Sequence, residues 1–297
     1  EIQGEVRFVS EVQVSPYQWY FDGAILDSPD FTGETYHTLT WQVPVSQSWY
    51  GTFHCDANGV QSRNITVGTG SSGLLVDVKT FLEGTFNGTN METVLNGSGY
   101  LPLAQPYSAS PWNYTGSETV TALPSADIAD WVLLELRDAA DAGSANGSTV
   151  VARRAAFILS NGVIVDLDGI SPVQFAVSIN QNMFAVVYHR NHLAAMSANP
   201  LSQAGNVYVY DFTASSAQFY GNTLGSNELA PGVWGMIAGD GDASGQVNNQ
   251  DKVDVWAIQA GLSGYNAGDF SMDGQVNNAD KVDLWVPNGG RSTQVPN

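Results

Sequence analysis

Basic residues are the scarcest feature of this 297-residue chain: ten Lys and Arg face 29 Asp and Glu, for a formal charge of −19. Such a surface repels phosphate backbones, and no basic stripe interrupts it, so nucleic-acid binding is excluded as an expected activity. Cysteine is nearly absent. Cys55 stands alone, and no disulfide framework can form within the chain. No run of about 18 apolar residues occurs, so no membrane span is expected. The chain opens Glu1-Ile2-Gln3-Gly4-Glu5, without the basic start and apolar stretch of a signal peptide, and is expected to be a mature form or a fragment. No GxSxG elbow, HExxH pair or P-loop is present, and helical periodicity is scarce.

What is there is apolar, aromatic and turn-rich. A hydrophobic fraction of 43% supports packed cores, and the length suggests two or three domains. Residues 1–67 alternate in short runs: Val6–Ser10, Tyr17–Phe21 turned by Asp22-Gly23, Thr35–Trp41, Gly51–Asp56 and Ser62–Val67. That spacing predicts a small antiparallel sandwich. The order Trp19…Gly51-x-Phe53-x-Cys55 resembles an immunoglobulin-like domain. The resemblance implies Trp19 as the core tryptophan of strand C and Cys55 as the strand-F cysteine. A partner cysteine on strand B is missing, so Cys55 is expected as a buried thiol. The chain also starts almost on strand B, so the domain is expected to lack its first strand, and an exposed edge there is a template for strand addition from another chain.

Gly68-Thr-Gly70-Ser-Ser-Gly73 matches GxGxxG, but an apolar strand pattern follows it where a dinucleotide site needs a helix. Residues 68–73 read better as a flexible linker. Residues 74–235 again read as strands, at Leu74–Leu82, Trp131–Arg137, Thr149–Leu159, Val163–Asp168, Phe175–Ile179, Phe184–His189 and Val207–Phe212. They predict a larger β-sandwich, with one weak helix candidate at Asn191–Ser197. Ser160-Asn161-Gly162 between two apolar runs is a hairpin signal. His189 and His192 lie three residues apart, and a zinc site there would want a further ligand. A structural role at the strand end is the better reading. Asp166 and Asp168 alternate on a strand and share a face. They read as solvated or edge residues before a turn rather than as a glycosidase pair. Glu135 and Arg137 share a face and are expected to pair. Sequons at Asn64, Asn87, Asn96, Asn113 and Asn146 carry little weight in an Asn-rich β protein.

The most informative stretch is a duplication near the end of the chain. GQVNNQDKVDVW at 245–256 returns as GQVNNADKVDLW at 274–285. Each copy closes a twelve-residue loop with oxygen-bearing side chains at positions 1, 3, 5, 9 and 12, and glycine at 6. The loops are Asp240, Asp242, Ser244, Gln246, Asn248, Asp251 and Asp269, Ser271, Asp273, Gln275, Asn277, Asp280, the glutamines giving a backbone carbonyl at position 7. An oxygen cage of this kind suits a hard cation, and three carboxylates per loop favour Ca²⁺. Two ions are expected, acting as a clamp on folding. Helices should follow, with Val253, Trp256 and Ala260 on one face, Val282 and Trp285 on the matching one, and the two tryptophans packed around a pseudo-twofold axis.

The duplicated loops, each ending in Asp after a Val-Asn pair, resemble the dockerin module. Two departures stand out. Dockerins carry a Ser-Thr recognition pair at positions 10 and 11, where this chain has Asn249-Gln250 and Asn278-Ala279. Pro287 is also expected to cut the second helix short. The resemblance thus implies the metal but not a cohesin partner. The apolar run Val233–Ile237 enters the first loop without a linker, so residues 236–297 are expected to dock rigidly on the sandwich.

The strings LPLAQPY, PWNYTG, DWVLLELRDA, VVYHRNHLAAMSA, GVWGMIAGDGD and the terminal QVPN resemble the C-terminal region of large secreted hemagglutinin-like or adhesin-like surface proteins of Bacteroidota-type bacteria. That resemblance implies a β-sandwich coupled to a dockerin-type calcium module, an extracellular or cell-surface location, and no established catalysis. The function expected is that of a non-catalytic structural or adhesive surface protein, with a role as subunit of an extracellular polymer among the expectations. The alternative is a carbohydrate-binding or cellulosome-like accessory part that docks a partner through the dockerin-like face. Expected partners are other copies of the chain, surface proteins or glycans.

Overall fold

The computed structural model describes residues 6–9, 16–21, 24–26, 31–32, 38–41, 51–58, 60–61, 65–67, 73–205 and 207–297. The chain is mainly β and divides into two compact units, Glu1–Ser72 and Gly73–Asn297. Among the described residues no helix is long and apolar enough to cross a membrane.

The first unit holds short strands β1 (Val6–Val9), β2 (Tyr17–Phe21), β3 (Ala24–Ile25), β4 (Phe31–Thr32), β5 (Thr38–Trp41), β6 (Gly51–Ala57), β7 (Val60–Gln61) and β8 (Ile65–Val67). They form two sheets, β1-β5-β4 and β3-β2-β6-β7, with β8 also paired to β6. Strands β2 and β6 run antiparallel with Trp19 opposite Cys55. Trp19, Phe53 and Cys55 are buried, as the alternation of inward and outward side chains on a pleated strand requires. The Asp22-Gly23 turn, residues 62–64, residues 68–72 and the segment where a first strand was expected missing lie outside the described residues.

In the second unit, Gly73 leads directly into β9 (Leu74–Lys79), so a strand stands where a dinucleotide fold would start a helix. The strands that follow are β10 (Ile128–Ala139), β11 (Val150–Leu159), β12 (Val163–Val165), β13 (Val173–Phe175), β14 (Asn182–Tyr188), β15 (Ala195–Met196), β16 (Ser202–Ala204) and β17 (Val207–Asp211). With β9 they make one nine-stranded mixed sheet in the order β15-β14-β10-β11-β12-β9-β17-β16, and β13 also pairs with β9. All pairs are antiparallel except β9 with β17. A hairpin of β18 (Asn227–Ala230) and β19 (Val233–Gly235) follows.

On β9 the pattern alternates, with Val76 and Val78 in the core. β10 is buried along almost its whole length. It lies between β11 and β14, and both of its faces are covered. One row, Val132, Leu134 and Leu136, joins the apolar core. The other row carries Trp131, Glu135 and Arg137 beneath the loop that precedes the strand. There Trp131 Nε1 donates to Pro102 O at 2.8 Å, and the Tyr107 hydroxyl donates to Trp131 O at 2.7 Å. Glu135, fully buried, is held between Arg137 at 2.7 Å and Arg153 at 2.5 Å.

Two local expectations need correction. Asp166 and Asp168 do not share a strand face, because β12 ends at Val165. Asp166 pairs with Arg154 at 2.8 Å, and Asp168 accepts from the Ile170 and Ser171 N–H groups at 3.0 and 2.9 Å. The Ser171 hydroxyl, which donates to Asp168 Oδ2 at 2.5 Å, and then these N–H groups hold the Asp168 carboxyl below its usual range. Residues 191–197 form no helix. Their backbone is spent on tertiary pairing instead, Leu193 N donating to Ile237 O and Ala195 pairing across to Val187.

Candidate metal centre

Both terminal loops fold by the same local rules. In the first, the chain turns through Ala243 (φ 54°) and Gly245 (φ 83°); in the second, through Met272 (φ 59°) and Gly274 (φ 83°). Glycine at position 6 is required twice over. It takes a left-handed conformation, and a Cβ there would lie 2.9 Å from Thr293 Cγ2 in one loop and 2.9 Å from Tyr100 Cε2 in the other. The position-6 N–H donates to the position-1 carboxylate: Gly245 to Asp240 at 3.0 Å, Gly274 to Asp269 at 2.9 Å. The position-12 carboxylate draws the two halves of each loop together. Asp251 accepts from Asp242 N at 3.2 Å and Asn248 N at 2.7 Å; Asp280 accepts from Ser271 N at 2.8 Å and Asn277 N at 2.7 Å.

Asn248 and Asn277 have a second task that the sequence reading missed. Their Oδ1 atoms accept from Gln250 N and Ala279 N, each at 2.7 Å. That is the bond of a helix N-cap. Helical backbone then runs over 249–259 and 278–288, opening into wide i→i+5 turns at Asp251–Trp256 and Asp280–Trp285. Pro287 does not shorten the second helix. It falls in the last turn, where one N–H is lost without losing a turn. The expected apolar face is also wrong. Val253 and Val282 are exposed, and Ala260 lies past the helix end. Lys252, Val255, Trp256 and Gln259 face inward instead, a regular i, i+3, i+4, i+7 stripe whose phase lies one residue away from the expected valine.

The tryptophans do join the two halves. Trp256 Nε1 donates to Asn277 O and Trp285 Nε1 donates to Asn248 O, both at 2.8 Å. Lys252 sits over the Trp285 ring at 5.0 Å, and Lys281 over the Trp256 ring at 4.4 Å. Each helix thus pins position 9 of the opposite loop by the same contacts.

Charge accumulates in the loops. Among the described residues, one group of three His, Cys, Asp or Glu side chains converges with ligand atoms within 4.8 Å of one another: Asp240, Asp242 and Asp251. Asp240 and Asp251 are buried, and Asp240 Oδ1 has no hydrogen-bond partner. Burial and then the Asp251 charge push the Asp240 carboxyl up to about 8. Burial raises Asp251 to about 6 against the pull of two backbone N–H groups. In the second loop burial lifts Asp269 to about 6, with Arg190 pulling down and Asp280 pushing up, and burial also raises Asp280. An orphaned buried carboxylate oxygen among like charges is the donor set that a hard cation completes. Asp240, Asp242 and Asp251 fit Ca²⁺ in the first loop, with Ser244 and Gln246 supplying uncharged oxygens. In the second loop Asp269, Asp273 and Asp280 are not drawn into such a converging group; they hold the equivalent loop positions, with Ser271, Gln275 and Asn277 beside them and the Asn277 Oδ1 already taken by Ala279 N.

The HRNH stretch after β14 mounts these loops on the sheet. Asp130, wholly buried, accepts from Arg190 Nε at 3.1 Å, from the Tyr265 hydroxyl at 2.6 Å and from Trp131 N at 2.7 Å. Burial alone would raise its carboxyl; Arg190 and His189 hold it down. Arg190 also donates to Asn266 O and lies 4.3 Å from the Tyr265 ring. Asn191 Nδ2 donates to Asp269 O at 2.6 Å. His192 Nε2 accepts from Gly84 N at 3.1 Å, so its Nδ1 carries the proton when neutral, with Asn191 Oδ1 at 2.9 Å and His189 Nδ1 at 3.0 Å in reach. His189 Nε2–H then points at Asp130 Oδ2, 3.2 Å away. Burial lowers both imidazoles, His192 strongly. The histidines therefore bond an aspartate, the Asn191 side-chain oxygen, each other and a backbone N–H, where bonds to backbone carbonyls were expected. Glu83 completes the mount, accepting from Asn288 Nδ2 at 2.7 Å and Ala238 N at 2.8 Å. Asp130, Tyr265, Glu83 and Asn288 were missed by sequence reasoning; no local pattern marks them.

No protein-family model matches the chain, and no curated protein matches it. Among solved structures it is similar to an N-terminal interface mutant of a type II cohesin–X–dockerin complex from Acetivibrio cellulolyticus. The identity is 14%, the TM-score 0.31, and the match covers 55% of this chain and 82% of that chain. A likeness this slight does not bear on the fold or the site.

Proposed function

We infer that this chain is a non-catalytic extracellular protein, structural or adhesive at a cell surface, whose terminal segment is locked by two Ca²⁺ ions. The observation that carries the metal reading is Asp240 Oδ1, buried and unpartnered beside two further carboxylates. Calcium neutralises a cluster that otherwise holds protons well above the usual carboxylate range. It acts as a clamp: each loop is tied to the opposite helix by a tryptophan, and the second loop to the sheet through Asn191. At calcium a hundredfold above the dissociation constant each site adds about 2.7 kcal/mol. The millimolar calcium of extracellular fluid suits weak sites of this kind.

Titration calorimetry on the full chain should count two ions, with one lost in each of Asp240→Ala and Asp269→Ala. A melting temperature indifferent to chelator would end the calcium reading. The polymer reading is tested by electron microscopy of purified material, where filaments that dissociate on chelation support it and a monodisperse monomer in calcium refutes it. A second reading, docking of a partner protein on the helices, is favoured by Val253, Ile258, Val282 and Val286, apolar side chains that the two helices leave exposed.

A further inference from the structure

Two adjoining cavities, of about 190 Å³ and about 160 Å³, share Trp112, Tyr188 and Ala243 as walls. One side is the sheet, through Leu133 and Arg153; another is the aromatic loop at Pro111-Trp112; the third is the tip of the first terminal loop, Ala243 and Ser244. From this arrangement we propose a binding pocket for one pyranose ring, the terminal sugar of a glycan, with one wall supplied by the calcium loop. The proposal rests on the calcium reading for that wall only.

The chemistry of the walls selects a sugar. Each cavity is below, and the two together only reach the lower end of, the roughly 300–1,000 Å³ of sites for drug-sized ligands, so the space suits a single ring. Trp112 is half-buried and fixed edge-on against the buried Tyr107, ring centroids 5.1 Å apart. Its rigid indole offers an apolar face to the C–H face of a pyranose. Its polar end is available as well. The indoles of Trp131, Trp256 and Trp285 donate to carbonyls, whereas Trp112 Nε1–H makes no hydrogen bond within the described residues.

Arg153 lies at the same rim, its Nε on Glu135 at 2.5 Å and its Nη1 on Trp112 O at 3.4 Å. Its Nη2 is left for a ligand hydroxyl or carboxylate, and a guanidinium in a fixed fork loses little freedom on binding. Ala243 holds its place through a left-handed backbone (φ 54°) in the loop whose three carboxylates converge. Calcium that rigidifies the loop rigidifies this wall, and the sugar then binds a preformed surface.

The test uses the full chain, with and without calcium, on a glycan array and by saturation-transfer NMR with free monosaccharides, acidic and neutral. Calcium-loaded protein should retain glycans with one class of terminal pyranose. Trp112→Ala should weaken that binding about tenfold while calorimetry still counts the same number of calcium ions. Because Trp112 packs on Tyr107, a second readout spares the fold: in the unmutated chain the Trp112 indole N–H resonance should shift at saturating sugar. No glycan retained by the calcium-loaded chain, undiminished binding in Trp112→Ala, or an unmoved indole resonance each overturns the pocket. Sugar binding that is insensitive to chelator in a chain that does bind calcium overturns the role of the loop wall. A chain that binds sugar through Trp112 but takes up no calcium refutes the calcium reading and leaves the pocket standing.

Discussion

Asp240→Asn is the substitution at which the calcium-free and calcium-loaded states of the first loop should differ most. In the calcium-free fold the Asp240 carboxyl stays protonated up to about 8, whereas in the unfolded chain it ionises near 3.9. A raised folded pKa means that its contribution to stability is fully present below about pH 4 and is lost as pH rises through 8. Near pH 7 the gap of about three units, at about 1.4 kcal/mol per unit, sets a ceiling on the order of 4 kcal/mol for the cost of the buried acid. Asparagine keeps the shape, carries no charge, and can accept from Gly245 N as Asp240 does. The calcium-free variant should therefore melt higher than the wild type, by up to about 10 °C at the usual few degrees per kcal/mol, and its stability should vary less between pH 4 and 8. Calcium should then do less for it. With the position-1 carboxylate gone the first site fails, and the calcium-induced gain falls by about half, each saturated site being worth about 2.7 kcal/mol. Differential scanning fluorimetry in chelator and in excess calcium, across pH, measures both effects. A variant that melts below the wild type in chelator at neutral pH, or gains as much from calcium, would refute the reasoning.

Other outcomes follow from the mount and the pseudo-twofold. Gly84→Ala places a Cβ 1.8 Å from the Phe270 carbonyl oxygen, so it should cost about 3 kcal/mol and weaken the second calcium site, read by urea unfolding and calorimetry. Trp256→Phe and Trp285→Phe each remove one indole hydrogen bond, to Asn277 O and Asn248 O. Each should cost about 1–3 kcal/mol, and the two costs should agree, since the contacts are equivalent; a large difference in urea midpoints would contradict the pseudo-symmetry. Burial holds His192 well below its ordinary value, so its contribution is present above about pH 6.5 and is lost as pH falls below that. The urea midpoint of calcium-loaded protein should drop between about pH 7 and 5, and His192→Gln should flatten that drop.

Much of the β architecture was legible in the chain. Strands β9, β10, β11, β14 and β17 appear where alternating or continuous apolar runs put them, and Ser160-Asn161-Gly162 turns β11 into β12. The twelve-residue loops and their reciprocal tryptophans follow from a duplication that any reader of 245–256 and 274–285 can see. These features are local: a period of two, a glycine at position 6, a carboxylate at positions 1 and 12. What escaped was set by distance along the chain. Val253 and Val282 look like core residues by type, yet they lie on the outward side of their helices, and packing of Lys252, Val255, Trp256 and Gln259 sets which side is inward. Asn191–Ser197 carries helix-favouring Leu193, Ala194 and Met196, but its backbone groups find partners in β14 and at Ile237. The mount joins Glu83, Asp130, His189, Arg190, Tyr265 and Asn288, which share no spacing and meet because burying a charge demands a partner wherever the fold can supply one. By itself, then, the sequence determined the strand pattern and the paired acidic loops, because hydrogen-bond periodicity and turn sterics act over a few residues. Only the tertiary structure decided that Asp240 Oδ1 is buried without a partner, that the loops are bolted to the sheet through Asp130 and Glu83, and that Trp112 faces the first loop across a cavity. Burial and charge pairing are properties of the packed chain.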